Sequence, residues 1–189
     1  MPSRILVLIS GSGTNLQALL ESLPSSGIPA DVVAVGSDQQ AAGLAHATQR
    51  GIPTFVVGWE RGADREAWGL ELSMEMEKFA PDVIVLSGFM KILPPSLVAK
   101  FQPRIINTHP SFLPDFPGAH AVKDALAAHV TATGASVIVV DDGVDTGAIL
   151  AQGRVPVLPG DTEESLHARI KVLERQLLLD VLAELIPAT

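Results

Sequence analysis

The chain contains no cysteine, so neither a disulfide framework nor a thiolate zinc site is available to it. Tyrosine is also absent, and the only tryptophans are Trp59 and Trp68, which excludes an aromatic stacking platform for single-stranded nucleic acid. Basic residues are the minority: 13 Lys and Arg stand against 21 Asp and Glu, for a net charge of -8 without a basic block. No nucleic-acid surface is expected from that balance, although a local site for an anionic small molecule is compatible with it. Long apolar runs are missing too. The first, Ile5–Ile9, gives way to a glycine loop and is too short for a signal-peptide core or a membrane span. The expected location is the cytoplasm, with no membrane partner.

What is present suits one sizeable α/β domain: 189 residues, 47% hydrophobic and 18% charged, with 16 Gly and 14 Pro. Strand signals fall at Ile5–Ile9, Val32–Val35, Thr54–Val57, Val83–Leu86, Arg104–Asn107, Ser136–Val140 and Arg154–Leu158. Helical periodicity falls between them at Leu16–Leu23, Ala41–Arg50, Ala63–Phe79, Pro95–Lys100 and Ala119–His129, and finally from about Glu163 to Leu185. Short runs apolar on both faces, separated by helices, predict an α/β, Rossmann-like fold. Its central sheet is expected to be mostly parallel, of about seven strands, with helices on both faces. No repeat or long linker divides residues 1–189. Any division near residue 100 would separate an N-terminal phosphate-binding half from a C-terminal half sharing one sheet.

The stretch Arg104 to Gly118 organises the rest. Asn107 and His109 lie two apart at the end of a strand signal, so on extended backbone both side chains point to one side. Pro110, Pro114 and Pro117 then stop the strand and stiffen the loop. An amide donor beside an imidazole is what a developing oxyanion requires. Asp145, in Asp141-Asp-Gly-Val-Asp-Thr-Gly147, is the candidate third partner, on a glycine-bounded loop at the end of another strand. That loop lacks the spacing and closing glutamate of an EF-hand, so no metal is expected.

A second signal, Ser10-Gly-Ser-Gly-Thr-Asn15, joins the first strand to the first helix. Its glycines let backbone N–H groups approach an anion at the positive end of a helix. It is neither a Walker loop nor a full dinucleotide fingerprint, because no Gly-Lys-Ser/Thr follows and Leu16 occupies the third-glycine position. It therefore favours a single phosphate. Asp38 reads as the cap of the next helix and His46 as a packing residue. Arg65, at a helix start, is placed to pair with a ligand carboxylate. Met90, Ile92 and Leu93, bracketed by Gly88 and Pro94, are able to wall a pocket for a flat heterocycle. On the last helix, Lys171, Glu174 and Arg175 occupy a polar side, with Glu174 the candidate for a substrate amine or ribose.

Four segments together resemble the phosphoribosylglycinamide formyltransferase family, folate-dependent enzymes of purine synthesis. They are Ile9 to Gln17, Ala80 to Leu93, Asn107 to Pro114 and Asp141 to Gly147, in the family's order. The resemblance implies transfer of a formyl group from 10-formyltetrahydrofolate, as co-substrate, to a glycinamide ribonucleotide. It implies Asn107, His109 and Asp145 as the catalytic set. It implies Gly13, Thr14 and Asn15, with Lys171, Val172, Leu173 and Glu174, as substrate contacts. The implied folate contacts are Arg65, Met90, Lys91, Ile92, Leu93 and Asn107, with Asp141, Asp142, Gly143, Val144 and Asp145. The implied partners are small molecules, with the chain a monomer or homodimer. Three features depart from the pattern: Lys91 stands where Arg is expected, Ile138 replaces a strand histidine, and the sequence ends soon after the last helix. Two relatives remain as rivals, a methionyl-tRNA formyltransferase and a formyltetrahydrofolate hydrolase. A non-catalytic nucleotide sensor would keep the glycine loop without needing Asn107, His109 and Asp145.

Overall fold

Alternation along the strands builds two apolar layers on one sheet. In β1 (Ser3–Ile9), Ile5, Val7 and Ile9 face one layer while Leu6 and Leu8 face the other, all without exposed surface. β4 (Val83–Leu86) repeats the division, with Val83 and Val85 on the first side and Ile84 and Leu86 on the second. A strand apolar on both faces needs helices on both, and burying each such Ile or Leu is worth roughly 1.5–3 kcal/mol. The first layer is closed by α1 (Thr14–Ser22), α2 (Leu44–Thr48), α5 (Ala121–Ala127) and the long α6 (Glu163–Leu185). The second is closed by α3 (Arg65–Glu77) and α4 (Pro95–Phe101). The computed structural model describes residues 1–187.

With β2 (Ala30–Ser37), β3 (Thr54–Val56), β5 (Ile105–His109), β6 (Ala132–Val139) and β7 (Ile149–Pro156), the sheet has seven strands in the order β3-β2-β1-β4-β5-β6-β7. The pairs β3/β2, β2/β1, β1/β4 and β4/β5 are parallel, and β5/β6 and β6/β7 are antiparallel. The Rossmann-like, mostly parallel architecture is as predicted. The carboxyl ends of β1, β2, β4 and β5 therefore open on one edge, where open α/β sheets bind ligands.

The antiparallel turn of β6 changes how Asp145 gets there. Asn107 pairs with Ile138 and His109 with Ser136, while Val140 N–H donates to the Ile105 carbonyl at 2.8 Å. The chain thus leaves β6 beside the amino end of β5, not at the carboxyl edge where Asn107 and His109 lie. It must double back along Asn107 to reach His109. Gly147 makes that return possible: a Cβ there would lie 1.7 Å from the Val139 carbonyl oxygen, so no other residue fits. β7 begins at Ile149 rather than Arg154 because it is a half-exposed edge strand with little apolar alternation. Among the described residues, no helix is long and apolar enough to cross a membrane.

Candidate active site

One cavity of about 490 Å³ at the carboxyl edge takes in the glycine loop, the loop after β4, the end of β5 and the loop after β6. At its phosphate-sized end, α1 starts at Gly13, which is left-handed (φ 67°) and supplies no side-chain cap. The other long helices differ: Asp64 caps α3 and Thr162 caps α6. The uncapped N–H groups of α1, with the helix dipole behind them, are open to an anion. Gly13 also meets Gly43, whose Cα would lie 2.8 Å from a Cβ at position 13. The Ser10 hydroxyl accepts from Met90 N–H at 2.8 Å, which ties this loop to the one after β4.

Lys171 and Glu174 of α6 line the same end, and Glu174 is only 4% exposed. Burial pushes its carboxyl up to about 7, against the opposing pull of Asn15, Lys171, Arg175 and Thr108. Thr108 reaches Glu174 because it points to the opposite side of β5 from Asn107 and His109, toward α6. Val172 and Leu173, also expected as substrate contacts, do not line the cavity. Helical geometry puts residues three apart on one face, so Val172 lies 67% exposed and Leu173 packs over Gly153 of β7.

At the other end, Asn107, His109 and Asp145 converge. Asp145 Oδ2 lies 3.3 Å from His109 Nδ1, and Asp145 Oδ1 accepts from Asn107 Nδ2 at 3.5 Å. Gly118 N–H donates to Asp145 Oδ2 at 2.8 Å, and the Phe116 carbonyl lies 2.9 Å from His109 Nε2. Both ring nitrogens thus face oxygen acceptors, and only the doubly protonated ring donates to both. Phe116 and Gly118 carried no sequence signal as partners, since their contribution is a main-chain carbonyl and a main-chain N–H. Asp145 holds φ 54°, a conformation Asp and Asn tolerate better than other side chains.

The same cavity includes an apolar slot beside Asn107, whose sheet partners are Leu86 and Ile138. Leu86, Leu93, Ile138 and Val140 line it, and Met90, Ile92 and Val144 stand exposed at its mouth. Asp141 and Gly143 join the lining, whereas Asp142 is exposed outside it. Arg65 is not part of the wall: it stacks on Trp59 at 4.8 Å and donates to the Ile92 carbonyl at 2.6 Å, bracing the loop from outside. Asp38 does not cap α2, whose N-cap is Gly43. It is buried in the cavity wall, its Oδ2 paired with Lys91 Nζ at 3.5 Å. His46 packs against the glycine loop, with Nε2 3.1 Å from the Ser12 carbonyl. His120 and His167 line the cavity without having been singled out.

A parallel sheet that brings an uncapped helix start and an Asn/His/Asp set to one cavity has close relatives. The formyl transferase pattern matches residues 3–182, and the chain belongs to that family. Within it the chain groups with the phosphoribosylglycinamide formyltransferases. It is 47% identical to the one from Mycobacterium tuberculosis over 97% of this chain and 85% of that protein. It is 42% identical to the one from Escherichia coli over 90% of this chain and 81% of that protein. The crystal structure of the Bacillus halodurans enzyme superimposes with a TM-score of 0.93 at 33% identity, covering 98% of this chain and 96% of that one.

Proposed function

We propose that the chain, as one formyltransferase domain over residues 1–189 acting in the cytoplasm, moves the formyl group of 10-formyltetrahydrofolate to the amine of N1-(5-phospho-D-ribosyl)glycinamide in purine (IMP) biosynthesis. The observation that carries this reading is the single cavity holding an uncapped helix start at one end and Asn107, His109 and Asp145 at the other. In it the substrate phosphate sits on the N–H groups of Gly13, Thr14 and Asn15, and Lys171 and Glu174 face its ribose. The folate heterocycle lies in the slot between Met90–Leu93 and Asp141–Asp145. Lys91, paired with Asp38, is the cation lining that slot, and Arg65 braces its loop from outside.

The amine attacks the formyl carbon directly. A C–N bond forms, the carbonyl oxygen gains negative charge, and the bond from the formyl carbon to the folate nitrogen then breaks. Asn107 Nδ2 donates to that oxygen, and His109, as imidazolium, stabilises it and gives a proton to the departing nitrogen. Asp145 holds the ring and its charge, and through a water takes the proton released by the amine. The donor now given to the Phe116 carbonyl is the one His109 has to redirect.

The test is spectroscopic folate turnover with and without the glycinamide ribonucleotide. Turnover that requires the ribonucleotide supports the reading. Turnover with water alone marks a hydrolase, formylation of charged tRNA alone marks the tRNA enzyme, and binding without turnover marks a sensor; any of these would overturn it.

A further inference from the structure

Behind the phosphate end, out of reach of the main cavity, Arg175 of α6 grips the glycine loop from its far side. Its Nε donates to Asn15 Oδ1 at 3.0 Å, and its Nη2 donates to the Thr14 carbonyl at 3.4 Å. Asn15 Nδ2 in turn donates to Glu174 Oε2 at 3.4 Å. Arg175 belongs instead to a small cleft between α1 and α6, with Ala18, Leu19 and Leu178.

These contacts fix the sense of the Asn15 amide. An amide turned over would set its NH₂ against a guanidinium, which has only donors at any working pH. With Arg175 in place, the Asn15 oxygen points backward and its NH₂ points to Glu174. The forked guanidinium adds the Thr14 carbonyl, so the first turn of α1 and the buried carboxylate of α6 are registered by one side chain. Lysine keeps the charge but has no fork, and cannot hold both oxygens in that geometry.

We propose that Arg175 is a positioning residue for the ribonucleotide: it acts through Asn15 and Thr14 to hold the phosphate loop and Glu174 facing one ligand, without touching that ligand. This rests on the reading of the glycine loop as the ribonucleotide's phosphate site. Losing two charge-assisted hydrogen bonds to the loop predicts a clear effect on one ligand alone. Arg175→Ala should raise the ribonucleotide KM about tenfold or more, leave kcat within about threefold, and leave the folate KM unchanged. Arg175→Lys should recover part of the loss.

The deciding experiment follows the Asn15 side-chain NH₂ by NMR in the full chain, beside the kinetics. In the unaltered chain the signal should move when the ribonucleotide is added. In Arg175→Ala it should move before any ligand is present, toward the shift of a solvent-exposed amide. If the unaltered chain gives no response to the ribonucleotide, the phosphate-loop reading fails and the proposal falls with it. If that response is present but Arg175→Ala leaves both the free signal and the KM unchanged, Arg175 is a solvated charge and the proposal alone is overturned. Should Arg175→Ala not fold, Arg175→Lys decides: an unchanged ribonucleotide KM rejects the proposal, and a severalfold rise confined to that KM supports it.

Discussion

The two ends of the cavity are built from different materials. The phosphate end is main chain: N–H groups of a helix start, exposed because Gly13 adopts a left-handed turn and brings no cap. The Asn/His/Asp end is side chain: an amide, an imidazole and a carboxylate brought together by β5 and a loop that doubles back from β6. Most substitutions displace a backbone donor without deleting it, proline being the exception, whereas side-chain donors are removed one at a time. Damage at the first end should therefore read out in binding and folding together, and damage at the second in the chemical step.

The largest effects should come from the side-chain end. His109→Ala should lower kcat by about 10²–10⁴, and Asn107→Ala by about 10²–10³, with ribonucleotide KM little changed. Steady-state kinetics beside a melting curve check both. A Tm loss that accounts for the missing activity would erase the contrast.

At the backbone end the two glycines should part company. A Cβ on Gly13 meets Gly43 at 2.8 Å and requires positive φ, whereas one on Gly11 meets nothing within 4 Å. Gly13→Ala should cost about 1–3 kcal/mol of stability as well as ribonucleotide affinity. Gly11→Ala should leave Tm unchanged, so any rise in KM there reports crowding at the ligand. Denaturant titration of the pair measures the split.

Glu174, the buried side chain at the phosphate end, gives the comparison a pH axis. Its carboxyl is raised by burial from 4.5 to about 7, so the folded chain binds a proton the unfolded chain has released. Its contribution is thus fully present below the unfolded value and is lost as pH rises through the folded one, on the order of 3 kcal/mol in all. Glu174→Gln keeps the shape and cannot ionise. It should flatten the fall in Tm between about pH 4.5 and 7. A parallel slope in both proteins would contradict the burial argument.

The smallest effect is expected at Val172, which is 67% exposed and turned away from the cavity. Val172→Ala should change stability by no more than about 0.5 kcal/mol and leave the ribonucleotide KM as it was. A KM change there would restore the whole Lys171–Glu174 segment as a contact surface.

The same difference in materials decided what the sequence disclosed. Doubly apolar runs such as Ile5–Ile9 can only be central strands, and a helix start made of glycines advertises itself locally, so the sheet and the phosphate loop were readable. The spacing of Asn107 and His109 was readable too, because period-2 geometry is local. The route of Asp145 was not: whether β6 runs parallel or antiparallel depends on pairing across the sheet, which no local pattern carries. Arg65 bracing the Ile92 carbonyl from outside, Asp38 paired with Lys91, and Glu174 buried behind Asn15 and Thr108 are likewise contacts between distant segments. Read along the chain, Asp38 looks like a cap, Arg65 like a partner for a ligand carboxylate and Glu174 like a substrate contact on a polar helix side.

The central claim is that His109 and Asp145 work as one unit, and a double-mutant cycle on kcat tests it most directly. Asp145→Asn is the suitable partner for His109→Ala, because Asn tolerates the left-handed backbone at φ 54° and retains an oxygen for Gly118 N–H. Each single variant should lose activity, and the double variant should be scarcely slower than the poorer single one, since the main task of Asp145 is to hold and charge the ring that His109→Ala removes. Losses that multiply in the double variant would mean that the two residues act independently, and would contradict the account.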